Sequence, residues 1–370
     1  MRRLISLALF SFLLVISHSQ AFAQEEITTP TYRDDYYRGQ VTKILDEHDT
    51  EVMGDHQITQ KLLVEITEGP EKGKEVEIDQ PVTSSQPDDL KFRIGDTVVV
   101  LRNQEFDQPL YYIMDQYRLP SLIWLFGVFF ILTIIFAGWT GLTALIGLAF
   151  NLLVIVSYII PQIIAGENPL VVSFIGGVGI ALVSLYFAHG FNKRTSIALV
   201  GTLSTLVIAL PLSMLFVGVS RLTGVGTEEA FFLQLGTLGN INLKGLLLGG
   251  IMIGVLGVLD DVTTAQSAAV EELKKANPRL GFGELYRRGL SIGKEHITSL
   301  INTLALAYVG ASFPVLLIFH VSQQPVWAIL NSEFIAEEIV RTLVGSVALI
   351  LAVPITTALA AWYFGKQRNL

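Results

Sequence analysis

Two stretches of the chain concentrate side chains capable of chemistry. The first is Gly257-Val-Leu-Asp260-Asp261-Val-Thr-Thr264-Ala-Gln266-Ser267, running on through Ala268 to Glu271 and Glu272. The second is Gly293-Lys294-Glu295-His296-Ile297-Thr298-Ser299, followed by Asn302 and Thr303. On an unbroken helix Asp260, Thr264, Ser267 and Glu271 form one polar stripe, with Asp261 turned about 100° away. In the second stretch Glu295, Ser299 and Asn302 share a face, and His296 and Thr303 lie on the adjoining one. Carboxylates, amides, hydroxyls and an imidazole lining one vestibule would suit a hard cation or a proton relay. The bland reading places the Asp260 and Asp261 pair among lipid headgroups, neutralised by Lys274, Lys275 or Lys294, with Glu295 and His296 capping the interface. Two further polar residues are secondary candidates. Asn151, inside an apolar run, reads most simply as a hydrogen bond between helices. His189, beside Lys193 and Arg194, reads as an interface residue.

The elements that must position these groups are apolar. Of 370 residues, 51% are hydrophobic, only 16% are charged, and none is cysteine. Ordinary soluble domains carry about 25% charged residues. A wholly soluble enzyme, a disordered chain and a nucleic-acid binder are therefore excluded, as are disulfides and thiolate sites. From Leu119 the hydropathy predicts seven spans, near 119–137, 141–163, 169–188, 195–218, 243–262, 298–320 and 340–363, each about long enough to cross ~30 Å of hydrocarbon as a helix. Gly176-Gly177 with Gly179, and Gly250 with Gly254 and Gly257, are expected at close helix contacts. Pro211, Pro314 and Pro354 are expected to kink their spans.

The N-terminus reads as an export signal, residues 1–23. Arg2 and Arg3 precede a short apolar run, Leu4 to Ile16, and Ala21-Phe22-Ala23 has the small-x-small form of a cleavage site. Residues 24–118 then carry 21 acidic and 10 basic side chains, a net of −11 against −8 for the whole chain. Strand signals fall at Gly39–Leu45, Gln57–Ile66, Lys74–Ile78, Thr97–Leu101 and Leu110–Met114, separated by turn residues. They predict a small all-β barrel or sandwich, the five-stranded oligonucleotide/oligosaccharide-binding barrel being one such form, and its acidity argues against nucleic acid as a partner. His48 and His56, among Asp46, Glu47, Asp49, Glu51 and Asp55, match no tight metal spacing, so no metal or cofactor is assigned.

Exporting this acidic segment sets an orientation that the remaining charges test. The loops it would leave in the cytoplasm, with the C-terminus, hold ten basic residues: Lys193, Arg194, Lys274, Lys275, Arg279, Arg287, Arg288, Lys294, Lys366 and Arg368. Beyond the β-domain the opposite side holds three, Arg221, Lys244 and Arg341. The bias satisfies the positive-inside rule. There is no Gly-x-x-x-x-Gly-Lys-[Ser/Thr] loop, no Gly-x-Ser-x-Gly elbow and no His-Glu-x-x-His helix, so the expectation is a protein that is not an enzyme.

The two polar stretches also resemble a known family. Leu259-Asp260-Asp261-Val262-Thr263-Thr264-Ala265-Gln266-Ser267-Ala268-Ala269-Val270-Glu271-Glu272-Leu273 is similar to the hallmark segment of the YibE/F-like bacterial multi-pass membrane proteins. So is Gly293-Lys-Glu-His-Ile297 running through Asn302-Thr303-Leu304 to Tyr308, Gly310, Ala311 and Pro314, with Glu295 where Asp is expected. The similarity covers about Leu119 to Tyr363. It implies a bacterial cytoplasmic-membrane protein with an exported N-terminal segment, and says little of mechanism. The expectation is an α-helical membrane bundle carrying an extracytoplasmic β-domain. Its function is expected to be that of a secondary transporter for a small solute or ion. The candidate site comprises Asp260, Asp261, Thr264, Gln266, Glu295, His296 and Asn302. The alternative is a non-transporting scaffold or sensor whose β-domain binds an envelope protein.

Overall fold

The computed structural model describes residues 35–52, 55–83, 91–103, 109–236 and 241–366; the expected signal segment, 1–23, lies outside them. The chain forms two compact units that part between Leu132 and Thr133.

In the N-terminal unit five antiparallel strands, β1 (Asp35–Val52), β2 (Asp55–Ile66), β3 (Glu75–Thr83), β4 (Thr97–Asn103) and β5 (Leu110–Gln116), form one sheet in the order β3-β2-β1-β4-β5. Its first strand is shared: Asp35–Gln40 pairs with β4, and Gly39–Val52 pairs with β2. Register shifts at Val41/Lys43 and Ile44/Asp46 mark bulges, which bend a strand and increase its twist. They curl the sheet into a half-barrel around Val41, Leu62, Val64, Ile66, Ile78, Val98 and Val100, all nearly inaccessible. Each such aliphatic side chain contributes about 1.5–3 kcal/mol by leaving water. Gly39 sits where a Cβ would lie 2.6 Å from Val64 Cγ1, so only glycine lets the strands cross there.

Polar groups of this unit gather at its rim. The Tyr111 hydroxyl donates to Glu71 (2.6 Å) and accepts from Lys74 (2.7 Å), tying the β2–β3 turn to β5. Burial pushes the Glu71 carboxyl up, but the bonds from Tyr111 and Lys74 and the nearby Arg102 charge hold it below its ordinary range. Among the described residues of this unit one polar side chain is buried outright. Gln60, 1% exposed, accepts from the Phe92 backbone N–H at 2.9 Å, and so pins the segment entering β4.

From Leu119 onward the chain is helical, and the first helix crosses the boundary between the units. Helix α1 runs over Leu119–Ile164, broken at Gly138 (φ 57°, ψ −137°). At that break the run doubles back: a Cβ on Gly141 would lie 2.6 Å from the Thr133 carbonyl, eight residues earlier. Eight residues of straight helix would separate them by about 12 Å. A π-turn at Ile155–Ile159 precedes Pro161, which can donate no backbone hydrogen bond. There follow α2 (Pro169–His189), α3 (Lys193–Val219), α4 (Glu228–Leu235), α5 (Leu243–Ala276), α6 (Phe282–Ala311), α7 (Phe313–Val321), α8 (Val326–Asn331) and α9 (Glu333–Gly365). Helix α5 is central and packs against α2, α3, α6 and α9.

Five of these helices are long and apolar enough to cross a membrane, or six when α6 and α7, bent by 62°, count as one broken span. All seven expected segments are helical, but the first two share α1, and the break between them is the Gly138 reversal. Pro314 lies in the first turn of α7, at the bend, while Pro211 and Pro354 are accommodated inside α3 and α9.

The glycines that bring helices together are partly others than expected. Gly176 packs on Ile159 and Gly177 on Leu256, whereas Gly250 and Gly257 face open space. It is Gly249, one residue round the helix, that packs against Ser173 and the Pro169 carbonyl. A glycine pattern at i and i+4 marks a helix face without saying which way that face turns. The outer surface is apolar in large side chains, among them Trp124 (78% exposed), Phe136 (86%) and Trp139 (77%). That surface fits a lipid bilayer and identifies a membrane protein.

Candidate functional site

Helix α5 does continue unbroken through the first polar stretch, from Leu243 to Ala276. The expected stripe therefore exists as one face, and it is directed at α2 and α3. Asp260 Oδ2 accepts a hydrogen bond from the Ser184 hydroxyl of α2 at 3.0 Å. Asp260 Oδ1 is enclosed and has no hydrogen-bond partner. Thr264 Oγ1 donates to the Asp260 carbonyl at 2.7 Å, one turn back along the helix, and so leaves the carboxylate untouched. Further along, the Ser267 hydroxyl donates to the Arg194 carbonyl at 3.0 Å, and Glu271 pairs with Arg194 and Lys275. Asp261 is exposed.

A second face of α5 carries a buried polar seam. Thr263 and Thr202 of α3 share a hydroxyl–hydroxyl bond of 2.8 Å, both fully buried. Gln266, 3% exposed, donates through Nε2 to the Gly289 carbonyl of α6 and to Thr357 Oγ1 of α9, each at 2.7 Å. This convergence depends on glycine. A Cβ on Gly289 would lie 2.8 Å from Val270 Cγ2, and one on Gly293 would lie 2.9 Å from Gln266 Oε1. Gly289-x-x-x-Gly293 thus brings the α6 backbone within reach of the amide.

The second polar stretch is placed differently from the facing wall expected of it. Glu295, His296 and Asn302 are all exposed on α6, and none of them bonds to Asp260. Residues of α6 that meet α5 include Gly289 and Gly293, both at Gln266, and the polar Lys294, Glu295 and His296 that follow are exposed. The partners of the α5 stripe come instead from α2 and α3. Asn151 is half-buried on α1, its Oδ1 without a partner, one turn from Gly147, whose Cβ position lies 3.8 Å from Ser184 Cα. His189 is exposed at the end of α2, where its carbonyl accepts from Asn192 Nδ2 at 2.7 Å. In the β-domain His48 pairs with Asp46 at 3.3 Å; the side chain of His56 lies outside the described residues.

Sequence reasoning passed over Ser184, Thr202, Thr263, Thr357 and the Gly289/Gly293 pair. Single serines and threonines in apolar runs carry no signal of their own, but the i, i+4 glycines of α6 did. Two further acidic residues, Glu333 and Glu337, also take part in helix contacts. They sit in the first turns of α9 and gather the loop after α3: Glu333 Oε1 accepts from Thr223 N (2.6 Å), Thr223 Oγ1 (2.5 Å) and Gly224 N (3.1 Å). Glu337, 4% exposed, accepts from Gly226 N at 3.1 Å. Gly226 has no room for a Cβ, which would lie 2.8 Å from the Glu337 carboxyl carbon.

Chemically, the Asp260 position offers one satisfied and one vacant carboxylate oxygen inside a helix bundle, with a hydroxyl able to follow a change of charge. The comparisons with known sequences cover both units. The family model described as YibE/F-like protein matches residues 125–366, and that of the YibE/F family N-terminal domain matches residues 32–116. No curated protein and no solved structure shows significant similarity to the chain.

Proposed function

We propose, for a chain that belongs to the YibE/F-like family, that the helical unit is a secondary transporter of a small solute or ion with Asp260 at its working site. The observation that carries this reading is the enclosed, unpartnered Oδ1 of Asp260 beside a Ser184 hydroxyl already committed to Oδ2. An ionisable group inside a bundle of spans is costly and is held for function by default. A carboxylate oxygen without a donor is a place for a proton or a desolvated cation. Asp261, exposed one residue on, would receive that cargo from water. Gln266 ties the helix that carries both acids to α6 and α9, Thr264 bonds back to the Asp260 carbonyl, and the exposed Glu295, His296 and Asn302 would act only as an outer approach.

In this reading the chain lies in the bacterial cytoplasmic membrane after export of its N-terminus. The β-domain is extracytoplasmic and the Lys- and Arg-bearing loops, with the C-terminus, are cytoplasmic, as the positive-inside rule requires. The natural absence of cysteine makes this testable with two single variants, Glu68→Cys in the β-domain and Arg287→Cys in the basic loop. Membrane-impermeant thiol reagents should label Glu68→Cys in intact, outer-membrane-permeabilised cells and leave Arg287→Cys unlabelled until lysis.

The function itself is tested by flux into vesicles reconstituted with purified protein, using a panel of monovalent and divalent cations and a pH-sensitive dye. Asp260→Asn is expected to abolish the flux that the parent shows, and Ser184→Ala to reduce it. Flux unchanged in Asp260→Asn would overturn the proposal.

One observation favours the second reading, a scaffold or sensor acting through the β-domain. Tyr36, Leu101 and Tyr112 are paired across three strands on the outer face of the sheet, with Leu110 and Met114 beside them. Tyr36 is 63% and Met114 56% exposed. A cross-strand aromatic row on the outer face is suited to an envelope protein. Deleting residues 24–118 separates the two readings, because a transporter keeps basal flux and a scaffold loses its role.

A further inference from the structure

Helices α3 and α9 enclose a groove of about 220 Å³ at the end of the bundle where α3 begins and α9 finishes. Its depth is aliphatic: Ile197 and Val200 lie along α3, and Leu359 lies along α9. The polar atom on its floor is already used, since the Ser196 hydroxyl bonds Tyr186 Oη at 2.9 Å. Its mouth is cationic and aromatic. Lys193 Nζ stands 5.4 Å from the centre of the Tyr363 ring, and Lys366 Nζ 4.0 Å from that of Trp362. Neighbouring Arg194, Lys274 and Lys275 are engaged by Glu271, Glu272 or backbone carbonyls. Lys193 and Lys366 make no ion pair among the described residues.

We propose that this groove binds an anionic glycerophospholipid, its headgroup phosphate between Lys193 and Lys366 and an acyl chain descending past Val200 and Leu359. Four features fit that occupant and no soluble anion. From Lys193 to Val200 the groove runs about 10 Å along the helix, the length of the upper part of an acyl chain. Its wall offers no hydrogen bond below the mouth. Tyrosine and tryptophan stand where interfacial aromatics meet headgroups. Both ammonium groups are held over ring faces, which leaves N–H bonds free for an anion, and basic pockets between spans are a known form of headgroup recognition.

The test uses the full chain with Trp124, Trp139 and Trp327 replaced by Phe, so that Trp362 alone reports. In bilayers doped with acyl-brominated phosphatidylglycerol or acyl-brominated phosphatidylcholine, Trp362 fluorescence is expected to be quenched by the anionic lipid with about tenfold preference. Lys193→Gln with Lys366→Gln should bring the preference close to one, and Lys193→Arg with Lys366→Arg should restore it. Helicity and thermal unfolding of each variant establish that the fold survives. Equal quenching by both lipids in the parent would overturn the proposal. So would a preference unchanged by the double Gln substitution, or one abolished by millimolar inorganic phosphate, which would mark a small-anion site.

Discussion

The two units solve the burial of polar groups in opposite ways. The β-domain keeps a dry interior of Leu62, Ile66, Ile78 and Val98 and pushes its charges to a rim where Glu71, Tyr111 and Lys74 join hands. The helical unit turns large apolar side chains outward and gathers hydroxyls, an amide and a carboxylate within, at Thr202, Thr263, Gln266, Thr357 and Asp260. In water, apolar burial drives folding and a buried polar group is an expense. Among lipid tails, apolar contact distinguishes inside from outside only weakly, and close backbones with hydrogen bonds hold helices together. A buried glutamine occurs in each unit, so the same residue type can be weighed in the two settings.

The largest effect is expected where a side chain would be forced between helices. Gly293→Leu should prevent assembly of α6 on α5 and α9, because even a Cβ would press on Gln266. Gly250→Ala, in open space, should be neutral or stabilising by up to about 1 kcal/mol through helix propensity. Thermal unfolding of the two variants in detergent checks both, and equal behaviour would break the distinction between packed and unpacked glycines.

Next comes the pair of glutamines. Gln60→Ala strands the Phe92 N–H inside the β-domain, and should cost about 2 kcal/mol, read as faster hydrogen exchange along β4. Gln266→Ala should cost less, about 0.6–1 kcal/mol, read as a lower melting temperature of the helical signal, because partially unfolded helices in a membrane still find partners. A larger loss at Gln266 than at Gln60 would reverse the comparison.

The smallest effect is a pH dependence confined to the β-domain. Glu71 sits below its ordinary value of 4.5 in the folded state, so it contributes stability above that value. That contribution is lost as pH falls from 4.5 through the lower folded value. Tyr111→Phe removes the bond donated to Glu71 and should flatten this acid limb. Unfolding followed by strand-specific hydrogen exchange between about pH 3 and pH 6 is the measurement (a window set by the ordinary carboxylate range).

How far the sequence could be read differed between the units as well. In the β-domain all five strands were legible from β-branched and aromatic residues between turn signals, but β1 and β2 run on through Asp46–Glu51 and its partners. A run so rich in charged residues gives no apolar alternation by which a hydropathy pattern could recognise a strand. In the helical unit, apolar length made every expected span helical. It could not reveal that α1 breaks at Gly138, because a glycine's positive φ has no signature in composition.

The site was legible in part. Asp260, Thr264 and Ser267 do share a stripe on one continuous helix, as periodicity requires. The same periodicity grouped Glu295 with Asn302, and the structure leaves both outside.

What the chain's own letters determined was local: where it is greasy, where it is acidic, where a helix persists and which residues of that helix share a side. Those properties follow from spacing and solvation, which a neighbour does not alter. Which helix each side meets was decided only by tertiary packing. The choice of Ser184 for Asp260, of Gly289 and Thr357 for Gln266, and of Thr202 for Thr263 depends on rotations of rigid helices set by where glycine permits contact. A rotation of about 100° per residue is enough to send one aspartate into the bundle and its neighbour to the surface.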